Sequence, residues 1–283
     1  MLTKTAIHTT KLPSGEPVPV LGQGTWHLAE GKHPREEEIR ALRVGLDLGM
    51  TLIDTAEMYA DGGAEELVGE AIAGRREEVF LVSKVLPQNA TRNGTITACE
   101  RSLRRLRTDR IELYLLHWRE SVPLQETVEA FQELVQAGKI RHWGVSNFDV
   151  SDMRELVALP FGSDVSTDQV LYNLTRRGIE YDLLPWCSKR NIPIMAYSPI
   201  EQGRMLRHPT LVRIANHHDA TPAQVALSWV LRLEKIIAIP GSGSAQHTRE
   251  NRAALDIRLT DRDFKELDRA FPPPDGPRPL ETL

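Results

Sequence analysis

The sequence predicts an α/β fold, a (β/α)8 TIM barrel, and two observations predict it. Eight short apolar, β-branched runs recur along the chain, and amphipathic helical stretches alternate with them. The runs cover residues 20–26, 51–56, 79–85, 111–118, 140–147, 165–173, 192–200 and 236–242. Strand–helix alternation implies parallel βαβ units, and eight of them favour a closed barrel over an open sheet. A chain of 283 residues without a low-complexity linker suits one such barrel, so 1–283 reads as a single domain. Residues 272–283 are proline-rich and read as an irregular tail.

The helices follow from periodicity and punctuation. Residues 35–48 place Ile39, Leu42, Val44, Leu46 and Leu48 in an amphipathic arrangement that ends at Gly49. Residues 64–73 do the same and end at Gly74, and 91–107, 124–137 and 149–159 follow. Gly138 is the expected left-handed stop after residue 137. Before the barrel, residues 5–11 and 17–21 flank Pro13-Ser14-Gly15, a turn signal, and read as a β-hairpin closing the barrel's bottom. Two further helices interrupt the regular alternation. Residues 221–232 start with Thr221 as N-cap and Pro222 in the first helical position. Residues 260–270 start with Thr260, and Asp263 three residues on resembles a capping box.

Composition excludes several classes. With 35 basic and 39 acidic residues the net charge is −4, which gives no pull toward nucleic acid or an anionic membrane. The local basic run RSLRRLR, 101–107, has helical spacing and no interleaved aromatics, so it reads as a solvated helix face. The two cysteines, Cys99 and Cys187, form no Cys/His cluster, so no metal site is expected, and two thiols fit a reducing compartment. The N-terminal residues lack an apolar signal core, and no apolar run reaches the ~20 residues of a membrane span. The expectation is a cytoplasmic protein, a monomer or weak oligomer, whose partner is a small molecule.

Chemistry enters at the strand ends. Asp54, Lys84, His117, Ser146, Asn147, Gln169, Asn173, Tyr197, Ser198 and Ser242 all stand toward the C-terminal ends of apolar runs. That end of a (β/α)8 barrel carries the active site. One such residue alone is a cap or a satisfied core group; the joint pattern is not. Tyr59 follows the Asp54 strand closely enough to reach over the same mouth. A lysine paired with an aspartate would stabilise a nearby phenolate and lower a tyrosine pKa. A phenol so tuned protonates a carbonyl oxygen as hydride arrives at carbon, and a neutral histidine orients that oxygen. No G-x-S-x-G occurs, and neither cysteine has a basic partner, so carbonyl reduction suits the set better than hydrolysis. Hydride requires a cofactor. Gly22-Gln23-Gly24 lacks the third glycine of a Rossmann fingerprint. Gly241-Ser242-Gly243-Ser244, after the last strand and opening a helix, is the better phosphate site.

At this point the chain resembles the aldo-keto reductase family over nearly its whole length. The resemblance is carried by LIDTAEMYADGGAEELVGEAI at 52–72, VFLVSKV at 79–85, LYLLHW at 113–118, GKIRHWGVSNF at 138–148 and MAYSP at 195–199. It is nearest to bacterial members that reduce methylglyoxal and similar small dicarbonyls. The resemblance implies a catalytic tetrad of Asp54, Tyr59, Lys84 and His117, with Tyr59 the general acid. It implies that Ser146, Asn147 and Gln169 hold the nicotinamide carboxamide and that Tyr197 stacks on its ring. It places further cofactor contacts at Gly24, Thr25, Trp26, Asp54, Ser198, Pro199, Gln202, Gly203, Ile239, Gly241, Ser242, Gly243, Ser244, Glu250 and Asn251. Trp26 and Trp118, with Tyr59 and His117, would line the substrate pocket.

One departure bears on the cofactor. Many members carry a lysine after Ile-Pro in the last loop and an arginine slightly further on, both engaging the 2′-phosphate of NADPH. Here Gly241 and His247 stand in those positions, and Arg249 or Arg252 are the nearest replacements. Each charge-assisted bond lost is worth roughly 1.5–3 kcal/mol. NADPH is expected, with NADH admitted and a narrowed preference between them. Two other readings stay open: a cofactor-binding regulatory subunit with little turnover, and a phosphate-binding isomerase on the same barrel.

Overall fold

The computed structural model describes residues 7–283. Strands β1 (Thr9–Lys11) and β2 (Pro17–Pro19) pair antiparallel, with Thr10 opposite Val18. Gly15 takes φ +89° in the turn between them, a conformation glycine adopts without a Cβ clash. The predicted hairpin is present from Thr9; the part of its first arm at residues 5 and 6 lies outside the described residues. Leu12 and Val18 pack with Leu52, Phe80, Leu113 and Ile237 inside the barrel, so the hairpin does plug its N-terminal end.

Eight parallel strands follow: β3 (Gln23–Gly24), β4 (Leu52–Asp54), β5 (Phe80–Val85), β6 (Ile111–Leu116), β7 (Ile140–Ser146), β8 (Asp168–Leu171), β9 (Ile194–Tyr197) and β10 (Ile236–Ala238). They pair in sequence order, and Gly22 N–H to Ala238 O, Ala238 N–H to Val20 O and Gly24 N–H to Pro240 O close the ring. Strand side chains alternate with period two. Leu52, Phe80, Val82, Leu113, Leu115, Met195 and Ile237 point into the barrel, while Ile53, Leu81, Val170, Ile194 and Ala238 join the outer shell beneath the helices. That parity decides the site: Asp54 follows Leu52, Lys84 follows Val82, His117 follows Leu115 and Tyr197 follows Met195, all on the inner face.

The helices are α1 (Arg35–Asp47), α2 (Gly63–Ala71), α3 (Arg92–Leu106), α4 (Leu124–Gln136), α5 (Val150–Ala158), α6 (Leu183–Ser188), α7 (Pro209–His217), α8 (Pro222–Val230), α9 (Ala245–Ala253) and α10 (Asp261–Ala270). Capping chemistry sets several starts. Thr91 Oγ1 accepts from Gly94 N–H, and full capping boxes open α5 (Asp149/Asp152), α8 (Thr221/Gln224) and α10 (Thr260/Asp263). Gly138, at φ +69°, stops α4 as expected. The barrel carries two helices beyond its regular set, but one is not where the sequence put it. Helix α8 packs on β10 and α9 and so belongs to the wall. The inserted helix is α7, which packs on α10. Residues 272–283 form no helix or strand, and no helix among the described residues is long and apolar enough to cross a membrane.

The outer face of β8 holds one costly group. Asp168 is fully buried and, among the described residues, receives only a long 3.5 Å bond from Phe148 N–H on Oδ1 and leaves Oδ2 without a partner. Burial holds this carboxyl well above the usual carboxylate range. The folded state therefore resists its ionisation, a cost that appears as pH rises past ~3.9, the ordinary aspartate value. Asp168→Asn keeps the shape and the acceptor. It is expected to raise the thermal midpoint at neutral pH by a few degrees, about 1 kcal/mol at this chain size, with the gain vanishing near pH 4. Calorimetric melts at both pH values check it; an unchanged or lower midpoint at neutral pH refutes it.

Candidate active site

The C-terminal ends of the strands enclose a cavity of about 430 Å³. Strain concentrates around it. Of the twelve non-glycine residues with positive φ among the described residues, eight lie in loops leaving these strand ends: His27, Ala29, Ala60, Asp61, Asn147, Ser198, Glu201 and Gln202. Such conformations persist where surrounding structure enforces them, commonly at functional sites.

Lys84 is the hub beneath the cavity. It is 0% exposed and donates from Nζ to Asp54 Oδ2 at 2.8 Å, to the Thr55 carbonyl at 2.9 Å and to Tyr59 OH at 3.2 Å. All three ammonium protons thus have acceptors, which is what a buried charge requires. Burial acts to lower the Lys84 pKa, but Asp54 and Tyr59 outweigh it and hold the amine above its ordinary value. Gln169 Nε2 donates to the other carboxylate oxygen of Asp54 at 2.8 Å, fixing the carboxylate from β8.

Tyr59 sits in a short turn after β4, packed against Ala56 and Ala64. The expected depression of its pKa does not occur. Burial raises it, Lys84 opposes, and the net direction is upward. Lys84 acts in the anticipated sense but on a phenol with too little solvent for its charge alone to compensate.

His117 completes the group, its ring edge-on to Tyr59 with centroids 5.8 Å apart. Burial, reinforced by the Lys84 charge, pushes its pKa down to about 2. Its buried Nδ1 has no hydrogen-bond partner among the described residues. The imidazole is neutral through the neutral range. Two consequences follow from a folded pKa below the ordinary value of ~6.5. The pH–rate profile has no histidine limb near that pH. Stability is full above it and declines as pH falls, because the unfolded chain takes up the proton first. Urea midpoints measured against pH should fall on the acid side for the parent protein and more shallowly for His117→Gln; parallel curves would exclude this assignment.

The second wall is polar. Ser146 Oγ donates to Gln169 O at 2.8 Å, and Asn147 Nδ2 donates to His117 O at 3.1 Å. Tyr197 OH donates to Asn147 Oδ1 at 2.9 Å, which holds the Tyr197 ring against the cavity. Glu201, buried, accepts from Asn173, Arg176 and Arg204 and so anchors the strained 198–203 loop.

Most of the sequence-predicted site residues converge here. Gly24, Trp26, Asp54, Tyr59, His117, Trp118, Ser146, Asn147, Gln169, Tyr197, Ser198, Pro199, Gln202, Gly203, Ile239, Gly241, Ser242 and Gly243 line the cavity. Lys84 lies behind the lining. Four others are outside it. Thr25 turns its hydroxyl onto the Asp54 carbonyl, Ser244 caps no helix by its side chain, and Glu250 and Asn251 stand on α9. Sequence reasoning passed over His27, Leu28, Lys32, His33, Met58, Ile200, Pro240 and Leu283, which also line it. Met58, next to Tyr59, was recoverable by adjacency, and Ile200 and Pro240 fall inside the apolar runs 192–200 and 236–242; the others lie in loop or tail segments whose path has no periodic signal. Burial pushes the Cys99 thiol up to about 12 and raises Cys187 as well, so neither is a ready nucleophile.

The aldo/keto reductase family model matches residues 20–271. The chain belongs to the aldo/keto reductase family. This aldo/keto reductase is 51% identical to methylglyoxal reductase YeaE of Escherichia coli over 94% of this chain and 95% of that protein. It is 32% identical to the glyoxal reductase of Bacillus subtilis over 92% and 91% of the two chains. Among solved structures, an aldo-keto reductase from Klebsiella pneumoniae in complex with NADPH superposes with a TM-score of 0.96 at 49% identity, covering 99% of this chain and all of that one.

Proposed function

We infer that this aldo/keto reductase reduces small, partly apolar carbonyl compounds, with dicarbonyls of the methylglyoxal class foremost, using NADPH. The observation that carries this is the Lys84–Tyr59 contact at 3.2 Å beside a cavity that also holds a neutral histidine. The residues suit a nicotinamide dinucleotide. Ser146, Asn147 and Gln169 offer the mixed donors and acceptors a carboxamide needs, and the Tyr197 ring offers a face for stacking.

When bound, the dinucleotide supplies hydride to the carbonyl carbon. The chain does the rest. Tyr59 gives its phenolic proton to the carbonyl oxygen, so C=O becomes CH–OH. Its raised pKa keeps it protonated through the neutral range, as an acid must be. The phenolate left behind is held by the Lys84 ammonium, which Asp54 fixes in place. A proton from water restores the phenol. Neutral His117 donates a ring N–H to the same carbonyl oxygen and aims it at Tyr59. Trp26, 36% exposed and stacked on His27, and Trp118 wall the entrance and favour compact substrates.

A panel of methylglyoxal, glyoxal and aromatic aldehydes, assayed with NADPH and with NADH, tests the reading. Turnover of small dicarbonyls with NADPH is expected. Tight dinucleotide binding with negligible turnover across the panel would favour a regulatory subunit instead.

A further inference from the structure

The loop between β3 and α1 carries charge that the reaction chemistry does not use. Residues 27–33 read HLAEGKH and cross the barrel mouth toward the loop after β10. The His33 ring packs on Gly243: a Cβ built there would lie 2.6 Å from His33 Cδ2. Lys32 and His33 therefore share a wall with Ser242 and Gly243.

Three facts make this wall specific. Among the described residues, Lys32 is the only lysine or arginine lining the cavity. Its one ion pair among the described residues, with Glu30 at 3.4 Å, has both side chains about a third or more exposed and holds it weakly. The facing segment, 241–244, contributes glycines and serines with no formal charge, and Arg249 and Arg252 turn to Ala245 O and Asp256 rather than the cavity. The hydride chemistry reserves the Tyr59–Asn147–Tyr197 end for the nicotinamide, so the seam between β3 and β10 is left for the dinucleotide's other end. A terminal phosphate monoester carries close to two charges at neutral pH. Backbone amides alone suit the diester pyrophosphate; a monoester dianion calls for a cation.

We propose that Lys32 and His33 bind the 2′-phosphate of NADPH, facing the 241–244 loop, and thereby determine cofactor specificity. This rests on the NADPH reading above. Lys32 supplies a mobile point charge, and His33 supplies an N–H donor in either protonation state. Gly243 is part of the same device, since a side chain there would displace the His33 ring. The cation stands on the opposite loop from the phosphate-facing amides, so the phosphate bridges two loops.

The test is dinucleotide binding, read by quenching of tryptophan fluorescence, for the parent protein, Lys32→Ala, His33→Ala, the double variant and Lys32→Arg. Competition by adenosine 2′,5′-bisphosphate and by 5′-AMP is read alongside. The double variant is expected to lose about tenfold or more in affinity for NADPH and for the 2′,5′-bisphosphate. NADH and 5′-AMP should change by less than about twofold, and Lys32→Arg should retain most of the NADPH affinity. Equal losses for NADPH and NADH, or an unchanged NADPH affinity, overturn this proposal alone. Failure of the parent protein to bind either dinucleotide overturns the cofactor reading and the proposal with it.

Discussion

Tyr59→Phe lowers kcat for carbonyl reduction by about 10²–10⁴-fold and leaves NADPH affinity within about twofold. The phenyl ring keeps the packing against Ala56 and Ala64, so the fold is retained. What is lost is the hydroxyl, the acid of this group that both meets the cavity and touches Lys84. Lys84 cannot replace it, because the amine is fully buried behind the cavity lining and stays bonded to Asp54 and the Thr55 carbonyl. His117 cannot replace it as an acid of ordinary strength, because its imidazolium does not form near neutrality. Single-turnover rates and circular dichroism of the variant decide the matter. A kcat within about tenfold of the parent would move the proton-donor role elsewhere.

Lys84→Met damages stability and activity together. Truncating one partner of a buried pair strands the other charge, here Asp54, at a cost of about 3–5 kcal/mol. Gln169 still donates to Asp54 Oδ1, but Oδ2 loses its 2.8 Å partner. The double variant Asp54→Asn/Lys84→Met removes the stranded charge, so stability returns in part while catalysis does not. Urea unfolding of the two single variants and the double variant gives the coupling. If Lys84→Met is as stable as the parent, or if the double variant recovers catalysis, the charge pair does not have the role assigned to it.

The inner-face residues were legible because strand periodicity is two and a polar residue at the end of an apolar strand is conspicuous. Asp54, Lys84 and His117 are visible for that reason. Tyr59 was legible only by its closeness to a strand end. The sense of its pKa shift was not, since spacing reveals a neighbouring lysine but not the depth of burial that outweighs it. Helix α7 was hidden by its histidine cap, His208, a residue type that sequence rules do not weigh as a cap. Helix α6 is short and carries Pro185. The role of α8 as a wall helix depends on its packing on β10, which no local pattern encodes. Lys32 and His33 lie in a loop without a period, and only the folded chain, which lines the cavity with both and packs the His33 ring on Gly243, ties them to the site.

The barrel's closure joins the first and last strands, distant in the chain, through three backbone hydrogen bonds around Gly22, Gly24 and Ala238. Bringing such remote segments together carries a loop-closure cost, and β3, at two residues, has little ladder with which to offset it. A dinucleotide that touches both flanking loops works as a clasp on that zip. Its binding free energy adds directly to the work of unfolding, growing with the logarithm of its concentration over Kd. Heat resistance in this protein then tracks the supply of dinucleotide, and preparations stripped of it should melt earlier than the loaded protein.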